Sequence, residues 1–208
     1  MFALFTTALV SFLVIIDPPG CAPIFASLTV GTSADHRRKM AVRSSLIALG
    51  ILLFFALLGR PLLHTLGITL AGFRLAGGIM LFIIALEMVF EKRTARREER
   101  AHAVEAEGAD DISVFPMAIP MIAGPGSIAT AMLLVSRAEG VGETVAVLAA
   151  MALVIALTLL SMLAAGPLMR LIGAKLEAMI TRILGVILAA LAAQFVIDGL
   201  KQSFPGLS

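Results

Sequence analysis

Six apolar stretches, each long enough to cross a lipid bilayer, dominate the sequence. A transmembrane helix needs about 20 predominantly apolar residues to span a hydrocarbon core of about 30 Å. The stretches run over residues 2–30, 40–58, 68–90, 112–136, 144–165 and 178–197. Because 60% of the 208 residues are hydrophobic, against about 45–50% in soluble domains, much of this apolar surface requires lipid as its solvent. The sequence therefore predicts an all-α transmembrane protein with six spanning helices.

The first apolar stretch is not expected to be a signal peptide. No basic residue precedes it, and no small-residue cleavage site closes it, whereas a secretory signal carries both. It leads instead into the sequence Asp17-Pro18-Pro19-Gly20. We therefore interpret it as the first spanning helix.

A polar segment, residues 91–111, separates a first transmembrane unit, residues 1–90, from a second, residues 112–208. The segment holds five Lys/Arg and seven Asp/Glu residues and is predicted to be a solvated linker. With this linker in the cytoplasm, the inner loops carry twelve Lys/Arg residues and the outer loops carry four. Cytoplasmic loops are enriched in Lys and Arg, so the counts favour a cytoplasmic linker and both termini outside the cell.

The two units share landmarks at a constant spacing. Pro19 and Pro125 are 106 residues apart, and the same offset relates Pro61 to Pro167. Each unit contains three predicted spans, so the second must enter the membrane from the opposite side. The sequence therefore predicts two inverted three-helix repeats, a construction typical of secondary transporters.

The first and fourth spans are interrupted, by residues 16–23 and by residues 116–127. Proline lacks a backbone N–H and clashes with the carbonyl one turn back, so both helices should break within the membrane. Broken backbone is tolerated there only inside protein or beside a water-filled cavity. The N-terminus of the second half-helix can bind an anion, and the free carbonyl groups of the first can bind a cation. Two facing breaks therefore predict a site for a small zwitterion.

The candidate substrate-binding residues flank these breaks. A carboxylate within a span is costly, so Asp17 suggests a substrate ammonium, a Na⁺ ion or a coupling proton as its partner. Capping of the following helix is the alternative role for Asp17. Cys21 and Ser127 correspond across the repeat, and each is expected either to contact the ligand or to pack closely. The complete set is Asp17, Pro18, Gly20, Cys21, Gly124, Gly126, Ser127 and Thr130.

Other conspicuous residues have simpler explanations. Gly77 and Gly78 are expected at a close helix contact. Glu87 is expected to reach the membrane interface, with the lining of an inner vestibule as the alternative. The sequence shows no nucleophile–base pair, phosphate loop or metal-ligand spacing, and its net charge is only +2. We therefore expect neither an enzyme nor a nucleic-acid-binding protein.

Both broken segments resemble motifs of the MarC family of bacterial and archaeal inner-membrane proteins. Residues 17–25, DPPGCAPIF, resemble its first-helix motif, and residues 115–130, FPMAIPMIAGPGSIAT, resemble its fourth-helix motif. The resemblance covers essentially the whole chain. It departs at Cys21, where members often have asparagine, and this difference could change selectivity or affinity.

The resemblance implies an inner-membrane transporter of small neutral amino acids, glycine and alanine. It also implies coupling to an ion gradient. We expect the ion to be Na⁺ or a proton, with no other cofactor, and alternating access to come from one repeat rocking against the other. A passive channel and an exporter of another small solute or drug are the alternatives. Small-residue helix faces permit a homo-oligomer without requiring one.

Overall fold

A computed structural model describes residues 1–92, 96–97, 99 and 111–204, with only the backbone of residues 168–175 and 177. Within these residues the chain is almost entirely helical and contains no strand. The helical segments are α1 (Phe2–Ile16), α2 (Pro18–Leu28), α3 (Ala34–Thr65), α4 (Leu70–Val89), α5 (Ser113–Ile122), α6 (Pro125–Arg137), α7 (Val141–Leu163) and α8 (Ala165–Ser203).

Five stretches are single spans by length and composition: Phe2–Leu28, Ala34–Thr65, Leu70–Val89, Val141–Leu163 and Ala178–Ser203. A sixth span results if α5 and α6, which meet at a bend of 53°, are counted together. The structure therefore confirms an all-α transmembrane fold. It also places helix breaks in the first and fourth spans, where the prolines predicted them.

The second span is longer than its apolar pattern predicts. α3 comprises 32 residues, a length of about 48 Å at 1.5 Å per residue, whereas the prediction covered residues 40–58. The helix begins after Ser33, whose hydroxyl oxygen accepts a hydrogen bond from the His36 N–H. Apolar composition marks the part of a helix that meets lipid, and α3 continues beyond that part at both ends.

The pair formed by α4 and α8 has the most extensive packing in the described structure. Its backbones approach closely at glycines: a Cβ on Gly78 would lie 2.9 Å from the Val196 nitrogen, and one on Gly199 would lie 2.9 Å from the Leu75 nitrogen. Small residues allow such approaches between membrane helices. Gly78 therefore lies at a close helix contact, as predicted from the sequence.

Most helix packing joins the first unit to the second. α1 and α2 pack on α7, while α3 packs on α5 and α6 and also on α7. Exchanging the two units turns the packing of α1 and α2 on α7 into the packing of α5 and α6 on α3. An internal two-fold relationship between the units would produce this correspondence. The inverted repeat itself stays a prediction, but the contact pattern is the one it requires.

Asp111 fixes the entry into α5. Its Oδ1 accepts a hydrogen bond of 2.9 Å from the Ser113 N–H and another from the Ser113 hydroxyl, and Arg43 of α3 forms an ion pair with the carboxylate. The Ser113 hydroxyl, the Ser113 N–H and the charge of Arg43 together hold the pKa of Asp111 below its usual value. These contacts hold the start of the fourth span against α3.

Candidate functional site

The first break is one residue wide. Asp17 lies between α1 and α2 in the left-handed conformation, with φ 59°, which short polar side chains tolerate better than others. Its Oδ1 accepts a hydrogen bond of 3.2 Å from the Gly20 N–H, and its carbonyl oxygen accepts one of 3.0 Å from the Cys21 N–H. Asp17 therefore caps α2, the alternative role considered for it.

This capping leaves no amide at the start of α2 for a ligand. Pro18 and Pro19 have no N–H, and the N–H groups of Gly20 and Cys21 already donate to Asp17. In this structure both amides are therefore occupied by the cap, and the role of Gly20 and Cys21 in substrate binding stays a prediction.

The other oxygen of the Asp17 carboxylate binds Arg97. The Arg97 Nη1 lies 3.1 Å from Asp17 Oδ2, and the Nη2 donates to the Ile16 carbonyl oxygen at 3.4 Å. The exposed fractions of the two side chains are 8% for Arg97 and 2% for Asp17. A buried ion pair is stable only with good geometry and further hydrogen bonds, and the Ile16 carbonyl and the Gly20 N–H supply them.

This contact corrects the description of residues 91–111 as a solvated linker. Arg97 is buried and reaches the break in the first span, so the prediction is wrong at this residue. The physical reason is the need of an intramembrane carboxylate for a positive partner.

The second break is built differently. α5 is a wide π-type helical segment with non-helical backbone at Phe115 and Ile119. It ends at Ile122, and Gly124 precedes the next helix; a Cβ on Gly124 would lie 2.3 Å from the Pro120 carbonyl oxygen. A larger residue at Gly124 would therefore force the break open.

α6 begins with Pro125, and no side chain of the described residues caps it. The first amides after this proline belong to Gly126 and Ser127. This helix start therefore differs from that of α2, which is capped by Asp17. The positive end of the α6 dipole is available to an anion.

Cys21 and Ser127 make equivalent contacts at the two breaks. The Cys21 Sγ donates to the Ile16 carbonyl oxygen at 3.4 Å, and the Ser127 hydroxyl donates to the Ile122 carbonyl oxygen at 2.7 Å. Each hydrogen bond joins two residues that are five apart in the sequence. The two donors, Cys21 and Ser127, are 106 residues apart, and so are the two acceptors, Ile16 and Ile122. The two breaks thus share a local geometry despite their different caps.

A cavity of about 200 Å³ lies beside the second break. A single water needs only about 10–15 Å³ of cavity volume, so the cavity can hold a small solute. Its charged lining consists of Glu87, Arg96 and Arg97, with Arg96 Nη1 2.6 Å from Glu87 Oε1. The other lining residues are Ile15, Ile84, Pro120, Met121, Gly124, Pro125, Gly126 and Ser127.

The cavity brings together only some of the predicted residues. Gly124, Gly126 and Ser127 line it, and Asp17 is connected to it through Arg97. The remaining predicted residues, Pro18, Gly20, Cys21 and Thr130, are buried and do not line it. Thr130 is fully buried, and its hydroxyl has no hydrogen-bond partner among the described residues.

Three charged residues of the cavity were not among the predicted site residues. Glu87 had an inner vestibule as its alternative location, and it does line this cavity. Arg96 and Arg97 were interpreted only as part of a basic topology signal. The available clue was Asp17, a carboxylate within an apolar stretch, residues 2–30, that contains no Lys or Arg.

The fold and this site define a multi-pass α-helical membrane protein with a charged cavity at a broken span. Residues 2–204 match the model of the MarC family integral membrane proteins, and the chain belongs to that family. This result confirms the resemblance seen in the motifs at residues 17–25 and 115–130.

Relatives match over nearly their whole lengths. A UPF0056 membrane protein of Archaeoglobus fulgidus is 37% identical, over 97% of this chain and 92% of the relative. The UPF0056 membrane protein YvbG of Bacillus subtilis is 34% identical, over 100% of this chain and 99% of the relative. The UPF0056 membrane protein YhcE of Escherichia coli is 32% identical, over 93% of this chain and 90% of the relative. No solved structure matches the chain.

Proposed function

We propose that this protein is an ion-coupled secondary transporter of small neutral amino acids, with glycine and alanine as substrates. It would act in the inner membrane, with the polar segment in the cytoplasm and both termini outside. The observation that carries the proposal is the chemical difference between the two breaks. One presents a carboxylate and a carbonyl oxygen, and the other presents an uncapped helix start beside a cavity.

The substrate carboxylate is assigned to the start of α6. The N–H groups of Gly126 and Ser127 are the first after Pro125, and a helix N-terminus favours negative charge. Glycine at position 126 lets a ligand approach the backbone closely. Both residues line the cavity, so a carboxylate bound there would lie within it.

The substrate ammonium is assigned to the first break. Asp17 Oδ2 and the Ile16 carbonyl oxygen already accept hydrogen bonds from a guanidinium. An ammonium group carries three donors and can satisfy the same two acceptors. Asp17 is also our candidate for binding the coupling Na⁺ ion or proton.

The movement behind alternating access is expected in the broken spans. Rocking one complete unit against the other would disrupt most of the packing, because the main helix contacts join the two units. The breaks between α1 and α2 and between α5 and α6 are places where the backbone can bend with less loss of helix packing. The buried Arg97–Asp17 pair favours a transporter over the alternative of an open passive channel.

The decisive experiment is uptake of labelled glycine and alanine by proteoliposomes with an imposed Na⁺ or proton gradient. We expect saturable uptake that depends on one gradient. Asp17→Asn should reduce uptake about 10–100-fold, because charge-assisted hydrogen bonds contribute about 1.5–3 kcal/mol. Absence of uptake by folded protein under both gradients would reject the amino acid assignment, and uptake that never saturates would favour a channel.

Gly126→Leu should abolish uptake by filling the cavity beside α6. A Cβ at this position would already lie 2.7 Å from Ile84 Cδ1, so a leucine side chain must occupy the space assigned to the substrate. Gly50→Leu is the matched control, since a Cβ on Gly50 meets nothing within 4 Å. Equal uptake by the Gly126→Leu and Gly50→Leu variants would contradict the assignment of the carboxylate subsite.

A further inference from the structure

We propose that Arg97 is a built-in ligand of the ammonium subsite, which a substrate amino group must displace in order to bind at the first break. The inference rests on the proposed function, because it specifies what occupies that subsite between substrates. It assigns to Arg97 a role in selecting substrates that carry a positively charged nitrogen.

The contacts make Arg97 and a substrate amine mutually exclusive. Asp17 Oδ1 is used by the cap on α2, which leaves Oδ2 for an external cation, and Arg97 binds that oxygen. Its Nη2 binds the Ile16 carbonyl oxygen, the other acceptor of the subsite. The space is tight, since a Cβ on Gly20 would lie 3.0 Å from the Arg97 Nη1.

Arg97 also has a route away from the subsite. It follows α4 in the chain and lies outside the packed spans, yet its side chain lines the same cavity as Glu87. Glu87 therefore offers the displaced guanidinium a second carboxylate within that cavity, where it now binds Arg96. A charge that leaves Asp17 can thus remain paired.

Cys21 provides a native reporter for this exchange. It is the single cysteine of the chain, is fully buried, and donates to the Ile16 carbonyl oxygen that also binds Arg97. Removal of the guanidinium should expose this carbonyl and the thiol beside it. The rate of Cys21 alkylation by N-ethylmaleimide in proteoliposomes therefore measures occupancy of the subsite without any need for transport.

We expect Arg97→Ala to raise the alkylation rate at least about tenfold, since loss of one partner of a buried ion pair shifts a local opening equilibrium by that much or more. Methylguanidinium and glycine should each slow the reaction again by occupying the vacated subsite. Arg182→Ala is the matched control, because it removes an ion pair with Glu91 whose side chains are about half exposed, and its rate should equal that of the wild type.

An unchanged rate in Arg97→Ala, or failure of either ligand to protect Cys21 there, would overturn the inference. If Arg97→Ala does not fold, the Asp17→Asn/Arg97→Gln variant removes both charges at once. It should label rapidly and gain no protection from methylguanidinium; slow labelling or full protection would overturn the inference. Wild-type uptake is judged separately, so failure of the proposed function is distinguishable from failure of this exchange.

Discussion

Leucine in place of Gly78 is expected to separate α4 from α8 and to leave little folded protein in the membrane. A Cβ at this position would lie 2.9 Å from the Val196 nitrogen and 3.0 Å from the Ala192 carbonyl oxygen. Both atoms belong to the backbone of α8, so no side-chain rotation relieves the contact. Overpacking of a well-packed site costs about 1–3 kcal/mol, and we expect a loss at the upper end of this range.

Thermal unfolding of the purified protein in detergent, followed by size-exclusion chromatography, measures this effect. Gly50→Leu adds the same side chain to a glycine with open space around it and should unfold like the wild type. If Gly78→Leu and Gly50→Leu have the same midpoint, the close approach of α4 and α8 does not exist in the membrane protein.

Replacement of Asp17 should produce the second large loss of stability. Asp17→Ala removes the cap of α2 and leaves the Arg97 guanidinium buried without its carboxylate. Breaking a buried ion pair by removal of one partner costs about 3–5 kcal/mol, and loss of a helix cap costs about 1 kcal/mol. The stability of the Asp17→Asn variant should lie between that of Asp17→Ala and that of the wild type, since the asparagine amide oxygen can still accept a hydrogen bond from the Gly20 N–H.

A double-mutant cycle separates the ion pair from the cap. The Asp17→Asn/Arg97→Gln variant carries no unpaired buried charge, so its unfolding midpoint should exceed that of Asp17→Asn alone. Additive losses in the double variant would show that the two charges are not coupled, and the buried pair would then have no energetic role.

The spans and their breaks could be predicted from sequence because their causes are local. A run of about 20 apolar residues needs lipid wherever it lies in the chain, and Pro18 or Pro125 lacks an N–H in any environment. The glycine contact of α4 was predictable for the same reason, since Gly78 offers a small surface. The boundaries of α3 were not, because its ends extend beyond the apolar residues that mark it.

The role of Arg97 could not be predicted because it depends on a partner 80 residues away. A basic residue in a polar segment satisfies the topology rule equally well when it is solvated and when it is buried. Spacing alone did not connect it with Asp17. The capping of α2, in contrast, was accessible: Pro18, Pro19 and an aspartate at the preceding position leave few amides to assign elsewhere.

The exchange of packing partners between the two units has a consequence for biosynthesis. α1 and α2 find their main neighbour only when α7 has been made, and α4 finds its own only when α8 is in place. The first three spans must therefore remain in the bilayer, inserted but unassembled, until their partners in the second unit have been made. Each half acts as the missing subunit of the other, so the chain resembles an obligate dimer whose partners have been joined end to end.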